Sequence, residues 1–280
     1  MIIAVDTGGT KTLVASFDSD GKSSEQFKFP TPVEPSDYIE QLSDFLVKHY
    51  DINQAKMISL GIPGTMLGGV CLKAGNLPWS HFDVVGDLRE ALEAKLGAKL
   101  SPKIVAENDA NLAGLAEARA LKTMPPVVLY VTVSTGVGTG VITDGHINEP
   151  LSRGEGGYIQ VEWQGKPAMW QDVASGKAVF KRYHKFARDI TSKRAWDTIA
   201  LGIGRGLLNI IPIIRPDVII IGGSIGTYFD KYERHLEQII HHDLPDYISS
   251  ISTPVILPAK HPEQAVIFGC YYYAHDKLAR

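Results

Sequence analysis

Apolar and polar positions along this chain alternate in short runs, and the period switches repeatedly between that of a strand and that of a helix. MIIAV is apolar and rich in β-branched residues, and it predicts an opening strand. DTGGTK follows as a glycine-rich turn, and TLVASFD as a second strand closed by a turn over Asp18 to Gly21. Ser36 to Tyr50 places Tyr38, Ile39, Leu42, Phe45 and Leu46 on one helical face, with Ser36 or Asp37 as the expected N-cap. Lys56 to Ile62 reads as a strand ending in GIPG. Val84 to Leu96 reads as an amphipathic helix with Gly97 suited to its C-cap. A short strand over Lys103 to Ala106 and an alanine-rich helix over Asn108 to Leu121 complete the first part. Pro125-Pro126 breaks the pattern and predicts a boundary, giving domains of 1–122 and 123–280.

The opening theme then returns. VVLYVTV is an apolar strand, STGVGTG a glycine-rich turn, and GVITDG a strand closed by Asp144-Gly145. The two glycine turns lie about 128 residues apart, an internal repeat that predicts two related lobes, with chance similarity as the competing account. Beyond it come a polar, glycine-rich segment from Arg153 to Tyr158, a helix from about Asp172 to Arg188, and a long helix from about Trp196 to Ile214. A buried strand, Asp217 to Ile221, runs into Gly222-Gly223-Ser224. A strand at Val255 to Leu257 and a helix over Glu263 to Ala279 end the chain, where the last helix can pack back on the first lobe. The class predicted is α/β.

Composition narrows the function. The chain has 280 residues, 44% hydrophobic and 21% charged, which excludes disorder and fits two domains of ~150 residues. A net charge of −3 argues against nucleic acid or an anionic membrane as the main partner. Any phosphate must therefore be held locally, by backbone amides and a few cations. Cys71 and Cys270 cannot build a disulfide framework or a four-cysteine zinc site, and they read as buried thiols in a reducing compartment. Met1 to Val5 is too short for a signal peptide. The apolar stretch Leu207 to Gly223 is interrupted by Pro212, Arg215, Pro216 and Asp217, short of a bilayer span. A cytoplasmic protein is expected.

Five segments could carry chemistry. In Asp6-Thr7-Gly8-Gly9-Thr10-Lys11 the glycines let backbone N–H groups approach an anion, Thr10 adds a hydroxyl and Lys11 a cation. Asp6, at the strand end, could hold Mg²⁺ through water. The alternative is a plain glycine hairpin with Asp at its start. Ser134 to Gly140 offers a second such loop, against the alternative of a sheet corner. Asn108-Asp109 is either a helix cap or a general base with an orienting amide. Arg153-Gly154-Glu155-Gly156-Gly157-Tyr158 is a solvated loop or a carboxylate grip on vicinal hydroxyls. Ile221 to Gly226 is a strand-to-helix turn or a surface for a base or ribose. Two glycine loops in one chain favour a clamp on a polyphosphate, one loop from each lobe.

In this order and spacing, the segments resemble the ROK family of repressors and sugar kinases, of the actin-like, hexokinase-like superfamily. The resemblance spans nearly the whole chain: DTGGTK, GIPG with Asn76-Leu77-Pro78-Trp79, AENDAN, STGVGTG, GEGGY and RPDVIIIGGSIG. It implies two actin-like, ribonuclease H-like lobes with a nucleotide and sugar cleft between them. It implies ATP on Gly8, Gly9, Thr10, Lys11, Thr135, Gly136, Gly138, Gly222, Gly223 and Ser224, with Mg²⁺ near Asp6. Asp109 is then the catalytic base, and Asn76, Asn108, Glu155, Tyr158 and Gln171 join it around the sugar. A homodimer is implied as well.

Two departures stand out. The family's Gly-Glu-x-Gly-His motif ends here in Tyr158, and its cysteine-rich zinc knuckle is replaced by Val161 to Met169, which has no cysteine. That imidazole touches sugar and ligates zinc in the family, so the two losses belong together, and no structural zinc is expected. The expected activity is transfer of the ATP γ-phosphoryl group to a hexose hydroxyl, with glucose O6 as the default. Two alternatives stay open: a non-catalytic sugar-sensing regulator, and a hexokinase that draws on inorganic polyphosphate. Family repressors carry an N-terminal helix-turn-helix. Met1 stands only five residues ahead of Asp6, so the enzyme is expected over the regulator. Trp79 and His81 are read as pocket lining or packing, Tyr271 to Tyr273 as helix packing, and His241-His242-Asp243 as a helix end on the surface.

Overall fold

The computed structural model describes residues 1–261 and 263–279. The chain divides into two compact units, Met1–Ala116 with Gln264–Arg280, and Glu117–Glu263. The division therefore differs from 1–122 and 123–280. It falls inside the third helix, and Pro125-Pro126 lies within the second unit as the lead into that unit's first strand.

The first unit is built on β1 (Ile2–Thr7), β2 (Lys11–Phe17), β3 (Phe27–Pro30), α1 (Pro35–His49), β4 (Met57–Ile62), β5 (Thr65–Leu67), β6 (Val70–Lys73), β7 (Ser80–Phe82), α2 (Val84–Leu96), β8 (Lys103–Asn108) and α3 (Asp109–Arg119), whose last turn passes into the second unit. Its main sheet runs β3-β2-β1-β4-β8, antiparallel across β1–β2–β3 and parallel across β1–β4–β8. Alternation along β1 explains the two layers. Ile3 and Val5 join Tyr38, Leu42, Leu46, Leu88 and Leu92 on one face, while Ile2 joins Met57 and Ala274 on the other. Ala274 belongs to the C-terminal helix, Ala265–Ala279, which packs against β1, β2 and β4. Tyr271 of that helix stacks on Phe17 with ring centroids 4.6 Å apart, and so packs as expected. Helix α1 starts one residue before the expected caps, because Pro35 supplies a ready-made first-turn φ. Gly97 ends α2 in the left-handed conformation, as expected.

The second unit contains β9 (Val127–Val133), β10 (Val137–Thr143), β11 (His146–Ile147), β12 (Gln160–Trp163), β13 (Lys166–Met169), α4 (Trp170–Ala174), α5 (Gly176–Tyr183), α6 (Lys193–Ile214), β14 (Val218–Gly222), α7 (Gly223–Gly226), α8 (Glu233–Asp243) and β15 (Val255–Pro258). Its main sheet runs β11-β10-β9-β14-β15, with the same directions as the first: an antiparallel hairpin around a glycine turn, then two parallel strands. The repeat read in the sequence is thus a repeat of sheet plan.

Helix α6 is long and apolar enough to cross a membrane by length and composition. Here Trp196, Ile199, Ile203, Leu207 and Ile211 are buried in the second core, and the helix packs on α4 and α8. Trp170 crosses it where Gly202 and Gly206 remove side-chain bulk. The indole Nε1 donates to the Gly202 carbonyl (3.1 Å), and a Cβ on Gly206 would lie 2.0 Å from the ring. The carboxylate of Glu117, buried in this unit, accepts backbone N–H bonds from Lys260 (2.7 Å) and His261 (2.6 Å).

The helix expected from Asp172 to Arg188 is broken. Ser175 takes an extended backbone, caps α5 by accepting from the Ala178 N–H (3.2 Å), and separates it from α4.

Candidate active site

In the first unit the glycine turn between β1 and β2 is closed by the Gly8 N–H donating to the Lys11 carbonyl (2.9 Å). Thr31, which sequence reading passed over, pins it from outside. Its Oγ1 donates to the Gly8 carbonyl (2.8 Å), lies 2.9 Å from the Thr12 hydroxyl, and its N–H donates to the Thr10 carbonyl (3.1 Å). Thr31 is buried, while Thr10 and Lys11 project to solvent. The turn's backbone is therefore fixed and its donors are exposed.

Asn76 stands beside this turn, since a Cβ on Gly9 would come 3.1 Å from its Cβ. The loop holding Asn76 is folded back by the Ala74 N–H to the Trp79 carbonyl (3.0 Å), and Gly64 (φ +136°) fits under it only without a side chain. Trp79 is 0% exposed, tilted against Tyr38 and donating to the Val33 carbonyl (2.7 Å), so it is core packing. His81 is exposed.

Strand β8 passes into α3 with no loop because Asn108 caps the helix. Its Oδ1 accepts from the N–H groups of Ala110 (2.9 Å) and Asn111 (3.1 Å), and its Nδ2 donates to the Gly64 carbonyl (2.9 Å). One amide hydrogen is left for a ligand. Asp109 follows at the first helical position, half-buried, with Oδ1 accepting from the Ala110 N–H (2.8 Å). Below it Glu107 accepts from the Asn108 N–H (2.8 Å) and from Asn111 Nδ2 (3.0 Å). Burial first, and the charge of Asp109 second, push the Asp6 carboxyl up to about 7. Thus Asp6, the first turn, Gly64, Asn76, Asn108 and Asp109 are gathered in one unit.

The second unit gathers the other predicted residues. The turn between β9 and β10 is closed by the Ser134 N–H to the Gly136 carbonyl (2.9 Å) and tied to α5 by the Gly176 N–H to the Ser134 carbonyl (2.6 Å). Thr135 is exposed. The Ser134 hydroxyl reaches Ser224 Oγ (3.4 Å). Gly223 (φ +78°) lies where a Cβ would meet the Val133 carbonyl at 2.6 Å, and Gly222 closes on Tyr130 in the same way. The 3₁₀ turn Gly156–Tyr158 packs on β10, with Gly157 against the Val137 carbonyl and the Gly156 N–H donating to Thr139 Oγ1 (3.2 Å). Glu155 is exposed and Tyr158 is 54% exposed. Gln171 Oε1 lies 3.2 Å from where a Cβ of Gly136 would stand, so this side chain abuts the second glycine turn. Sequence reading missed the start of α5. Its signal was Ser175-Gly176, a capping serine followed by a glycine.

Each unit carries a hydrogen-bonded glycine turn with exposed side chains, and the first also carries a carboxylate at a helix start. The sequence profile of the ROK family matches residues 2–277. The chain belongs to the ROK family. It is 25% identical to the putative fructokinase of Bacillus subtilis over 99% of this chain and 96% of that protein. It is similar to the inorganic polyphosphate/ATP-glucomannokinase of Arthrobacter sp. strain KM (TM-score 0.71, 26% identity, 99% and 98% of the two chains). It shares its fold with a ROK family glucokinase of Streptomyces griseus solved with glucose and AMPPNP (TM-score 0.76, 21% identity, 98% and 99% covered). The paired sheets of this ROK chain are the actin-like fold.

The donor sets decide which metals suit this ROK chain. Zinc in proteins is held by thiolates, imidazoles and carboxylates in tetrahedral sets. Between Ile159 and Trp170 the only such group is Glu162, which accepts from the Gly165 N–H instead. Residues Gln160–Trp163 and Lys166–Met169 pair as a β-hairpin over a Gln164-Gly165 turn (φ +53° and +77°). This segment does not fit zinc. Among the described residues no group of three or more His, Cys, Asp or Glu is placed to hold a metal. Magnesium, which keeps several waters and asks for one or two carboxylates, fits the Asp6 carboxylate.

Proposed function

We propose that this chain is an ATP-dependent hexose kinase that transfers the γ-phosphoryl group to a sugar hydroxyl, glucose O6 in the first instance. The observation that carries this reading is the placement of Asp109. It opens a helix in the unit that carries the first glycine turn, its Oδ1 is oriented by the Ala110 N–H, and its charge acts on Asp6 at the end of the strand leading into that turn. The named relatives, which are sugar kinases, support the reaction class.

In this reading Asp109 accepts the proton of the attacking hydroxyl. Asn76, Asn108, Glu155, Tyr158 and Gln171 hold the ring. Gly8 to Lys11 and Thr135 to Gly138 donate N–H and hydroxyl bonds to phosphate oxygens, and Gly222, Gly223 and Ser224 face the adenosine. Asp6 would hold Mg²⁺ through water, and the ion would supply charge neutralisation at the phosphates. A cytoplasmic homodimer belongs to the same reading.

An ADP-release assay over a hexose panel tests it. Turnover with glucose or another hexose is expected, and Asp109→Asn should fold normally and lose ~10² or more in kcat. Near-normal turnover in that variant removes Asp109 from the chemistry. Tight sugar binding with no turnover on any sugar makes the chain a sensor. The likeness to a polyphosphate/ATP enzyme gives the donor question a specific footing. The same panel with polyphosphate in place of ATP decides it.

A further inference from the structure

We propose that the β12–β13 hairpin, seated by Arg182 and not by a metal, sets the spacing of Tyr158 and Gln171, which makes Arg182 a positioning residue for the sugar. The inference rests on the preceding reading of those two side chains as sugar contacts.

The ladder itself fixes the spacing. Gln160 pairs with Met169, and the Trp170 N–H donates to the Ile159 carbonyl (2.9 Å), which carries the pairing one step further. The next residues outward are Tyr158 and Gln171. Their separation is therefore set by strand pairing across a closed hairpin.

A two-stranded hairpin is marginal without a surface to sit on. This one is fastened along its length. The Asn209 side-chain amide donates to the Gln160 carbonyl (3.1 Å), Val161 is buried in the core, and Trp170 is bonded to α6. At the turn end the guanidinium of Arg182 lies over the Trp163 ring, 4.9 Å from its centroid, while its Nη2 donates to the Val173 carbonyl (3.1 Å). Only a planar cation can stack and bond sideways at once, which selects arginine over lysine. Nη1 of Arg182 is buried with no hydrogen-bond partner, a cost that stacking and shape must offset.

Arg182 also links the hairpin to the phosphate side. It lies in the last turn of α5, whose first residue, Gly176, is bonded to Ser134 of the second glycine turn. Helix α5 is a strut between that turn and the hairpin. A knot of thiolates around zinc would hold such a segment by bonds to a metal. Here stacking and backbone pairing hold it, and the donor set for zinc is lacking.

The test uses the full-length protein, with Arg182→Met to keep bulk and Trp163→Phe to keep a ring. Metal analysis of the purified wild type should find zinc far below one per chain, and dialysis against EDTA should leave its thermal midpoint unchanged. Arg182→Met should raise the KM for sugar about tenfold with kcat little changed, and Trp163→Phe should stay close to wild type. Hydrogen exchange at 159–171 should speed up in Arg182→Met alone. Stoichiometric zinc, or unaltered exchange and sugar KM in Arg182→Met, overturns the proposal. If the wild type phosphorylates no sugar, the kinase reading fails, and exchange and metal content still decide what seats the hairpin.

Discussion

The carboxyl of Asp6 is pushed up to about 7 by burial and then by the negative charge of Asp109. An unfolded chain returns Asp6 to its ordinary value near 4. Between these values the folded protein holds a proton that the unfolded chain releases. The contribution of Asp6 to stability is therefore complete below about pH 4 and is lost as the pH rises through 7. Urea unfolding of EDTA-treated protein from pH 4 to 8 should show the wild type losing stability relative to Asp6→Asn across that window. Parallel profiles would show that Asp6 titrates normally.

Thr31 is expected to matter for nucleotide use although it touches only backbone and Thr12. Thr31→Val removes the bond to Gly8 and leaves that carbonyl without its donor. A loss of ~10-fold in kcat/KM for ATP follows from one such bond, with sugar KM intact. Thr31→Ser keeps the hydroxyl and should keep activity. Equal losses in both variants would mean that the methyl group, and so packing, is what counts.

These two cases show what was legible in the sequence. The glycine turns, Asp6 and Asp109 were readable because each sits in a contiguous motif at a strand end. Thr31 was not, since its role comes from β3 folding onto β2, which brings it to a turn about 20 residues away in sequence. The break at Ser175 was hidden by apolar spacing that runs through it, and the reason for the break is a bond from Gly176 to Ser134, 42 residues earlier. The small strands β5 to β7 have three or four residues each, too few to show a period. That the last helix can pack back on the first lobe was part of the sequence reading, but local periodicity does not report contacts between the two ends of the chain.

Gly206→Ala should be among the most damaging single-methyl changes in the second unit. The new Cβ would fall 2.0 Å from the Trp170 ring, which is already bonded to Gly202. Overpacking of this kind costs about 1–3 kcal/mol or more, a fall of at least ~3 °C in Tm. Calorimetry checks it, and a midpoint within 1 °C, an order-of-magnitude threshold, would mean that the indole moves aside without cost.

Both thiols should be silent in the native state. Cys71 and Cys270 are buried, and burial pushes Cys71 up to about 11 and Cys270 upward as well. A thiol reagent at pH 8 should find neither group until denaturant is added, and then both. Rapid labelling of native protein would place at least one of them at the surface.

The two sheets follow one plan, yet only the second carries the β12–β13 hairpin, and only the first carries the helix that begins with Asp109. The matching strand orders leave each unit with a different addition. On the proposed kinase reading, one could be retuned for a different sweet molecule by edits to a surface flap, with the proton-handling machinery of the other left as it was. New appetites in this lineage should accordingly be sought between positions 158 and 171 before anywhere else.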